Sequence, residues 1–205
     1  LAEATALLDA GDSVGAAARA ILGEQRVRLR RGRHLHDFHM GKERARIEVA
    51  FASTAIKLAE RLLTDGIGPE VPVIDVAGTD TARRRNRWLV QARRWLKVAE
   101  TAMGNERYAR AVHAAWHAQF SAMNAVILPG GITTQEIRAM HQLAVELFER
   151  AEAGLGDDAT PLQLRVLNRA EDLIEIGVRR LANGQKRGVT ALWRSSTRST
   201  WLIIS

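Results

Sequence analysis

Between residues 82 and 183, short breaks rich in glycine, proline and asparagine separate four segments whose apolar residues recur every three or four positions. This spacing places apolar side chains on one face of an α-helix and leaves the opposite face polar. Helices joined by short connections pack as antiparallel neighbours. The sequence therefore predicts an all-α fold, with an antiparallel four-helix bundle over 82–183 and a smaller helical N-terminal region.

The ends of these four helices are marked by local signals. The helices are expected at about 82–103, 105–127, 133–153 and 160–183. Thr133 and Glu136 have the spacing of a capping box at the start of the third helix, and Thr160 and Gln163 repeat that spacing at the start of the fourth. A Pro-Gly-Gly run ends the second helix, and an Asn-Gly pair ends the fourth.

Three further regions lie outside the predicted bundle. Residues 1–64 are expected to form a helical N-terminal region, with a long helix at 42–63 that follows a basic, histidine-rich loop. Residues 65–81 contain three glycines and two prolines and are predicted to be a linker. Residues 184–205 are predicted to be a basic tail, for which disorder, a docking strand and a foreign extension are open alternatives.

Positive charge is concentrated in a few segments of this chain, whose net charge is +7. The first helix of the predicted bundle carries six cations that are candidates for nucleic-acid contact, and all but Arg84 are placed on its polar face: Arg83, Arg84, Arg87, Arg93, Arg94 and Lys97. Such a face suits a nucleic acid, RNA more than DNA, or an acidic protein partner, and a plain solvated surface is the alternative. Trp88 and Trp95 are available to stack on bases, although their position on the apolar face favours core packing.

The sequence contains no cysteine, which excludes disulfides, thiolate metal sites and cysteine nucleophiles. No apolar run has the length of a membrane span. No glycine-rich phosphate loop and no serine nucleophile motif is present. We therefore expect a cytoplasmic protein with no membrane partner and no cofactor.

The second predicted helix carries a histidine pair, His113 and His117, four residues apart. Helical spacing places five polar residues on one face: Glu106, Arg110, His113, His117 and Asn124. Three interpretations are open, namely catalysis or ligand contact, a metal ion shared by the histidines, and plain surface histidines. We call these five residues the polar stripe. Because the polar stripe offers only Glu106 as a further metal ligand, no metal is predicted.

A second histidine cluster lies in the stretch HLHDFH, with His34, His36, Asp37 and His39. Its order resembles the metal-binding signature of metallo-β-lactamase-type hydrolases. The aspartate stands one position earlier than in that signature, and the alternating strands of that fold are not predicted downstream. We expect a basic loop between helices that favours anions.

The order of segments in 82–183 is similar to that of HEPN domains. The resemblance is carried by ARRWLKVAETAMGNERYARAVHAAWHAQFSAMNAV, the Pro-Gly-Gly break and TTQEIRAMHQLAVELFERA. It implies a small helical bundle of a prokaryotic toxin–antitoxin or defence system, acting as a dimer on nucleic acid. Nuclease members carry an Arg-x(4–6)-His motif near the start of their last major helix, where this sequence has no histidine.

Two pairs in the second helix match the spacing of that motif. They are Arg107 with His113, and Arg110 with His117, and only the second pair falls on one helical face. The resemblance implies that His117 acts as general base toward a ribose 2′-hydroxyl and that Arg110 stabilises the phosphorane. His113 is the further candidate for catalysis.

Three functional hypotheses follow from the sequence. The first is a HEPN-like module that binds RNA, with endoribonuclease activity as an open question. The second is a non-catalytic helical interaction protein whose basic faces meet an acidic partner. The third is a histidine-ligated metal protein.

Overall fold

A computed structural model describes residues 41–65, 79–127 and 133–205. These residues form six helices and no strand, and 88% of them are helical, which confirms the predicted all-α class. The helices are α1 (Gly41–Asp65), α2 (Thr79–Gly104), α3 (Tyr108–Val126), α4 (Thr134–Gly154), α5 (Pro161–Ala182) and α6 (Gly188–Ile204). Contacts group Lys42–Ser205 into one compact unit. None of the helices in these residues is long and apolar enough to cross a membrane.

Helix α1 matches the helix expected at 42–63 and lies at the centre of the unit. Its buried apolar residues recur at helical spacing along nearly its whole length: Ala45, Phe51, Ala52, Ala55, Ile56, Leu58, Ala59 and Leu62. These residues contribute to each of the four apolar clusters in the described core. Each later helix shares at least one of these clusters with α1.

Helices α2 and α3 form a hairpin with an alanine-rich interface. Ala99 of α2 clusters with Ala114, Ala115 and Ala118 of α3, all of them buried. Small side chains allow two helices to approach closely, because the distance between helix axes depends on the side chains at the contact. The two helix axes can therefore lie close together along this interface, and larger residues lie at its borders.

A tight turn joins α2 to α3. The Arg107 amide donates to the Ala102 carbonyl at 2.8 Å, and the Glu106 amide donates to Met103 at 3.0 Å. This pair of bonds is a Schellman arrangement, whose left-handed position is usually occupied by glycine. Here Glu106 occupies it, with φ of 57°. The turn moves the start of α3 from the expected residue 105 to Tyr108.

Both predicted capping boxes are present. Thr133 Oγ1 accepts from the Glu136 amide at 3.2 Å, and Glu136 Oε2 accepts from the Thr133 amide at 2.7 Å. Thr160 and Gln163 make the equivalent bonds at 3.2 and 2.9 Å. Each box satisfies two amides that the first turn of a helix leaves without partners.

Residues 188–204, which the sequence placed in a basic tail, form helix α6. Val189, Leu192 and Trp193 are almost completely buried in the largest apolar cluster. Ser195 donates from its hydroxyl to the Ala170 carbonyl of α5 at 2.8 Å. Thr197 donates to the carbonyl four residues earlier in its own helix. Such bonds satisfy hydroxyl groups away from water, so this serine- and threonine-rich segment can pack in the core.

Helices α5 and α6 cross at two glycines. A Cβ atom on Gly188 would lie 2.6 Å from the Gly177 carbonyl oxygen, and one on Gly177 would lie 2.7 Å from Leu192. Both positions therefore require the absence of a side chain. The predicted linker at 65–81 lies mostly outside the described residues, and the predicted division of the chain at residues 64 and 82 stays a prediction.

Candidate nucleic-acid interface

A basic cleft of about 500 Å³ lies between α2 and α3, next to the turn that joins them. Its lining consists of Arg94, Lys97, Val98, Thr101, Ala102, Asn105, Arg107 and Arg110. Four of these residues are cations and none is an acid. Partly apolar walls lower the local dielectric constant and strengthen the attraction of the cations for an anion.

The local sequence explains why the cations meet in the cleft. Arg94 and Lys97 lie three residues apart on one face of α2, and Arg107 and Arg110 lie three residues apart around the start of α3. The first turn of α3 contains no acid, and its N-cap Arg107 makes no side-chain capping bond. The partial positive charge of the helix N-terminus therefore adds to that of the side chains.

The other four predicted cations of α2 lie outside the lining of the cleft. Arg83, Arg84 and Arg87 are exposed along the N-terminal half of α2. Arg93 Nη2 is paired with Glu60 Oε1 of α1 at 2.7 Å, with both side chains partly exposed. Of the six residues that the sequence proposed for nucleic-acid contact, Arg94 and Lys97 are the two that the structure brings together with Arg110.

Arg85 differs from its neighbours in the arginine run because it is buried, with 7% of its surface exposed. Burial lowers the pKa of Arg85, and the negative charge of Glu136 acts in the opposite direction. Its Nε has no hydrogen-bond partner. This residue belongs to the packing of α2 and is not part of the basic surface.

The two histidines of α3 lie beside the cleft. Both are exposed, and the His113 Nε2 and His117 Nε2 atoms are 3.3 Å apart, within hydrogen-bond distance. The His117 ring stacks on Trp95 of α2, with centroids 4.7 Å apart and 23° between the planes. Arg110, which lines the cleft, precedes His113 by one helical turn. The structure thus places all three predicted catalytic residues on one side of α3.

Two exposed aromatic residues continue this side of α3, and the sequence interpretation did not select them. Trp116 is 46% exposed and Phe120 is 48% exposed. Arg194 of α6 lies over the Trp116 ring, 4.8 Å from its centroid. We call His113, Trp116, His117 and Phe120 the aromatic ridge. Trp116 and Phe120 each follow a histidine of the pair by three residues, which is the signal that could have identified them.

Trp88 and Trp95, which the sequence offered for stacking on bases, are both half-buried. Trp95 packs against the alanine cluster of the α2–α3 interface. Its ring is therefore largely occupied by the core and by His117, so Trp116 replaces it as the tryptophan available to a ligand.

Two members of the predicted polar stripe are separated from the other three. Glu106 lies in the turn before α3 instead of on the helix, and Asn124 is 4% exposed. Of the five predicted residues, Arg110, His113 and His117 thus lie together on the exposed side of α3. The HLHDFH cluster lies outside the described residues. Within the described residues, no three histidine, aspartate or glutamate side chains come together as a metal site.

A buried polar network ties α3 to α1 and α6 behind the ridge. Gln119 Nε2 donates to Glu48 Oε2 at 3.0 Å, and Trp193 Nε1 donates to the Gln119 carbonyl at 3.2 Å. Arg198 Nη2 lies 3.7 Å from Glu48 Oε1. Burial lowers the pKa of Arg198 to about 10, although the charge of Glu48 opposes this shift. The network fixes the position of α3 along its neighbours, and thereby the position of the ridge.

The described part of the chain is thus an all-helical unit with a basic cleft and an adjoining aromatic ridge. Comparison with protein-family models, curated proteins and solved structures gives no match.

Proposed function

We propose that the protein binds single-stranded nucleic acid through the basic cleft and the aromatic ridge. The observation that carries this proposal is their continuity: Arg110 lines the cleft and lies one turn from His113 of the ridge. A strand that places its phosphates in the cleft can stack its next bases on exposed rings. Proteins that bind single strands commonly combine a positive groove with aromatic platforms. RNA is the form that the HEPN resemblance implies.

Charge and stacking supply different parts of the binding free energy. Each phosphate neutralised on a single strand contributes about −0.7 to the slope of log affinity against log salt concentration, so four cations give a slope of about −3. Stacking of one base on an aromatic side chain contributes about 1–3 kcal/mol and does not depend on sequence. We therefore expect salt-sensitive binding with little sequence preference.

The catalytic part of the proposal is endoribonuclease activity. His117 would remove the proton of a ribose 2′-hydroxyl, and Arg110 would stabilise the charge of the phosphorane. His113 lies between them along α3 and within hydrogen-bond distance of His117, so it would supply the proton to the 5′-oxygen that leaves when the P–O5′ bond breaks. We also propose that the protein is a HEPN-like four-helix bundle. It would act as a cytoplasmic dimer in a toxin–antitoxin or defence system.

Fluorescence anisotropy with a labelled single-stranded RNA of about a dozen nucleotides tests the binding proposal. The wild type should bind with a steep salt dependence, and Arg94→Gln/Lys97→Gln should lower the slope by about 1.4, since two phosphate contacts are lost. Arg138→Gln/Arg150→Gln on α4 removes the same charge from exposed residues outside the cleft and should leave the slope unchanged. Equal losses in the two variants, or no binding by the wild type, would contradict the proposal.

Cleavage is tested separately by incubating the same RNA with wild type and with Arg110→Ala, His113→Ala and His117→Ala. Attack by the 2′-hydroxyl leaves a 2′,3′-cyclic phosphate on the upstream product, which mass spectrometry identifies. Loss of this product in Arg110→Ala and His117→Ala, measured at protein concentrations that saturate the RNA for each variant, supports the mechanism. Equal cleavage by all four proteins indicates a contaminating nuclease.

The second candidate function is a non-catalytic interaction with an acidic protein. The pairing of Arg194 with exposed Trp116 favours it, because tryptophan and arginine are the residue types enriched where protein partners bind tightly. Here poly-glutamate, used as a model acidic partner, should bind more tightly than RNA of equal charge. Tighter binding to the RNA would favour the first function.

A further inference from the structure

We propose that His113 and His117 form a binding site for a divalent transition-metal ion. Both imidazoles are exposed to solvent, and their Nε2 atoms face each other at 3.3 Å on successive turns of α3. Imidazole nitrogen is a preferred ligand of zinc, copper and nickel. This inference does not depend on whether the protein binds nucleic acid.

The separation of the two nitrogens fits a shared ion. Metal–nitrogen bonds of about 2.0–2.1 Å in a tetrahedral site place two ligand nitrogens about 3.3–3.4 Å apart. The His113–His117 separation of 3.3 Å already has this value. The two rings are inclined by 70°, and a shared ion lies off the line that joins the two nitrogens, so the rings must rotate about their side-chain bonds to direct both lone pairs at it.

The contact between His117 and Trp95 restricts the His117 side chain before a metal ion binds. Since the His117 ring stacks on that indole and Trp95 is itself packed on the alanine cluster, the His117 side chain keeps little rotational freedom. A ligand that is ordered before binding loses less conformational entropy when the ion arrives. His113 contacts His117 edge to face, with ring centroids 4.5 Å apart. The restrained His117 ring therefore also restricts the orientation of the His113 ring.

The same surroundings define what kind of site this is. Among the described residues no third histidine or carboxylate joins the pair, so the ion would keep its remaining positions for water or an anionic ligand. Arg110, one turn away, opposes a bound cation and favours such an anion. Metal binding would also replace the hydrogen bond between the histidines, and the imidazole that donates it would carry its proton on Nδ1 instead of Nε2. Copper(II) should bind more tightly than nickel(II) or zinc(II).

Isothermal titration with zinc chloride tests the site. The protein must carry no histidine tag, and His34, His36 and His39 are replaced by glutamine so that HLHDFH contributes no ligands. In this background we expect one zinc ion per chain, and His113→Ala and His117→Ala should each weaken binding at least tenfold. His141→Ala changes a half-buried histidine of α4 and should have no effect on the zinc affinity.

Cobalt(II) provides a second readout that does not depend on affinity alone. Bound in a tetrahedral site, it should produce visible d–d absorption in the background protein, and His117→Ala should abolish this absorption while the far-UV circular dichroism is retained. Zinc binding that is unchanged in both histidine variants, or absent in the background protein, overturns the proposal. Because neither titration contains nucleic acid, their failure would leave the RNA-binding proposal intact, and failure of RNA binding would leave the metal site intact.

Discussion

The imidazole of His117 lies on the indole of Trp95, with ring centroids 4.7 Å apart and planes inclined by 23°. This contact joins α2 and α3 beside the basic cleft. Trp95 also packs against the buried alanine cluster that α1, α2 and α3 form together. One residue thus belongs both to the core and to the wall of the candidate site, so its loss should be measurable in stability and in the environment of His117.

Trp95→Leu should shift the His117 ring-proton resonances downfield, because the ring current of the indole is removed. It should also lower the free energy of unfolding by about 1–3 kcal/mol, less than for a fully buried tryptophan. Proton NMR of the histidine ring signals and urea denaturation measure the two effects. Unchanged His117 resonances would show that the stacked geometry is absent in solution.

Trp116→Ala and Phe120→Ala should each weaken binding of single-stranded RNA by about 1–3 kcal/mol, since each removes a stacking surface. The salt dependence should not change, because no phosphate contact is lost. Both residues are nearly half exposed, so unfolding midpoints should shift little. Leu164→Ala on α5, a residue with 43% exposure, is the matched control and should leave RNA affinity unaltered.

Arg198→Met should destabilise the fold by about 3–5 kcal/mol, because it leaves the buried Glu48 carboxylate without its cation. The double variant Glu48→Leu/Arg198→Met removes both charges and should recover most of this loss. Urea denaturation of the wild type, the two single variants and the double variant gives the coupling free energy. Additive effects in this cycle would mean that the pair contributes no interaction of its own.

The pH dependence of this pair follows from the pKa of about 10 that burial gives Arg198, which is below the usual value of an arginine. Below pH 10 both folded and unfolded chains carry this proton, so the cost of burying the cation is constant. Above pH 10 the folded chain releases the proton first, and stability from this group rises with pH. The difference in unfolding free energy between wild type and Glu48→Leu/Arg198→Met should therefore be equal at pH 7 and pH 9.

Glu106→Gly should stabilise the protein by about 0.5–1 kcal/mol. Glu106 has a φ of 57°, a backbone region that costs a residue with a side chain about 1–3 kcal/mol, and glycine adopts it without that cost. The greater freedom of glycine in the unfolded chain offsets part of the gain. Asn105→Gly, one residue earlier and without positive φ, should not stabilise; a loss of stability in Glu106→Gly would contradict the strain argument.

Gly188→Ala should destabilise the protein by at least 1–3 kcal/mol, the usual cost of overpacking. The added methyl group would lie 2.6 Å from a backbone oxygen of Gly177, which cannot move aside as a flexible side chain can. Gly104→Ala, where a Cβ meets nothing within 4 Å, is the control. Thermal unfolding followed by circular dichroism distinguishes the two variants.

Local signals allowed much of the helical structure to be predicted from the sequence. The boxes at Thr133 and Thr160 each fix a helix start through bonds between residues three apart, and glycine and proline runs mark where helices end. Helix α6 was missed because its buried face contains Ser195, Ser196 and Thr197. Their hydroxyls bond to backbone carbonyls, and such bonds cannot be read from residue type.

The candidate site was predicted only in part, because it depends on how two helices pair. Arg94 and Arg110 are sixteen positions apart in the sequence and meet because α2 and α3 fold back on each other. The exposure of Trp116 and the burial of Asn124 likewise depend on which parts of α3 other elements cover. The periodicity of a sequence predicts which residues share one face of a helix. Tertiary packing determines how much of that face is exposed to solvent.

The burial of α6 has a consequence for synthesis of the chain on the ribosome. Helices α1 to α5 emerge before Leu192 and Trp193 are available, so the part of the largest apolar cluster that these two residues fill stays uncovered until α6 has been translated. The unit can then close only after nearly all of its residues have left the exit tunnel. During that interval the nascent chain presents apolar surface of the kind that chaperones bind, and a ribosome stalled before residue 188 would release a product unable to complete its core.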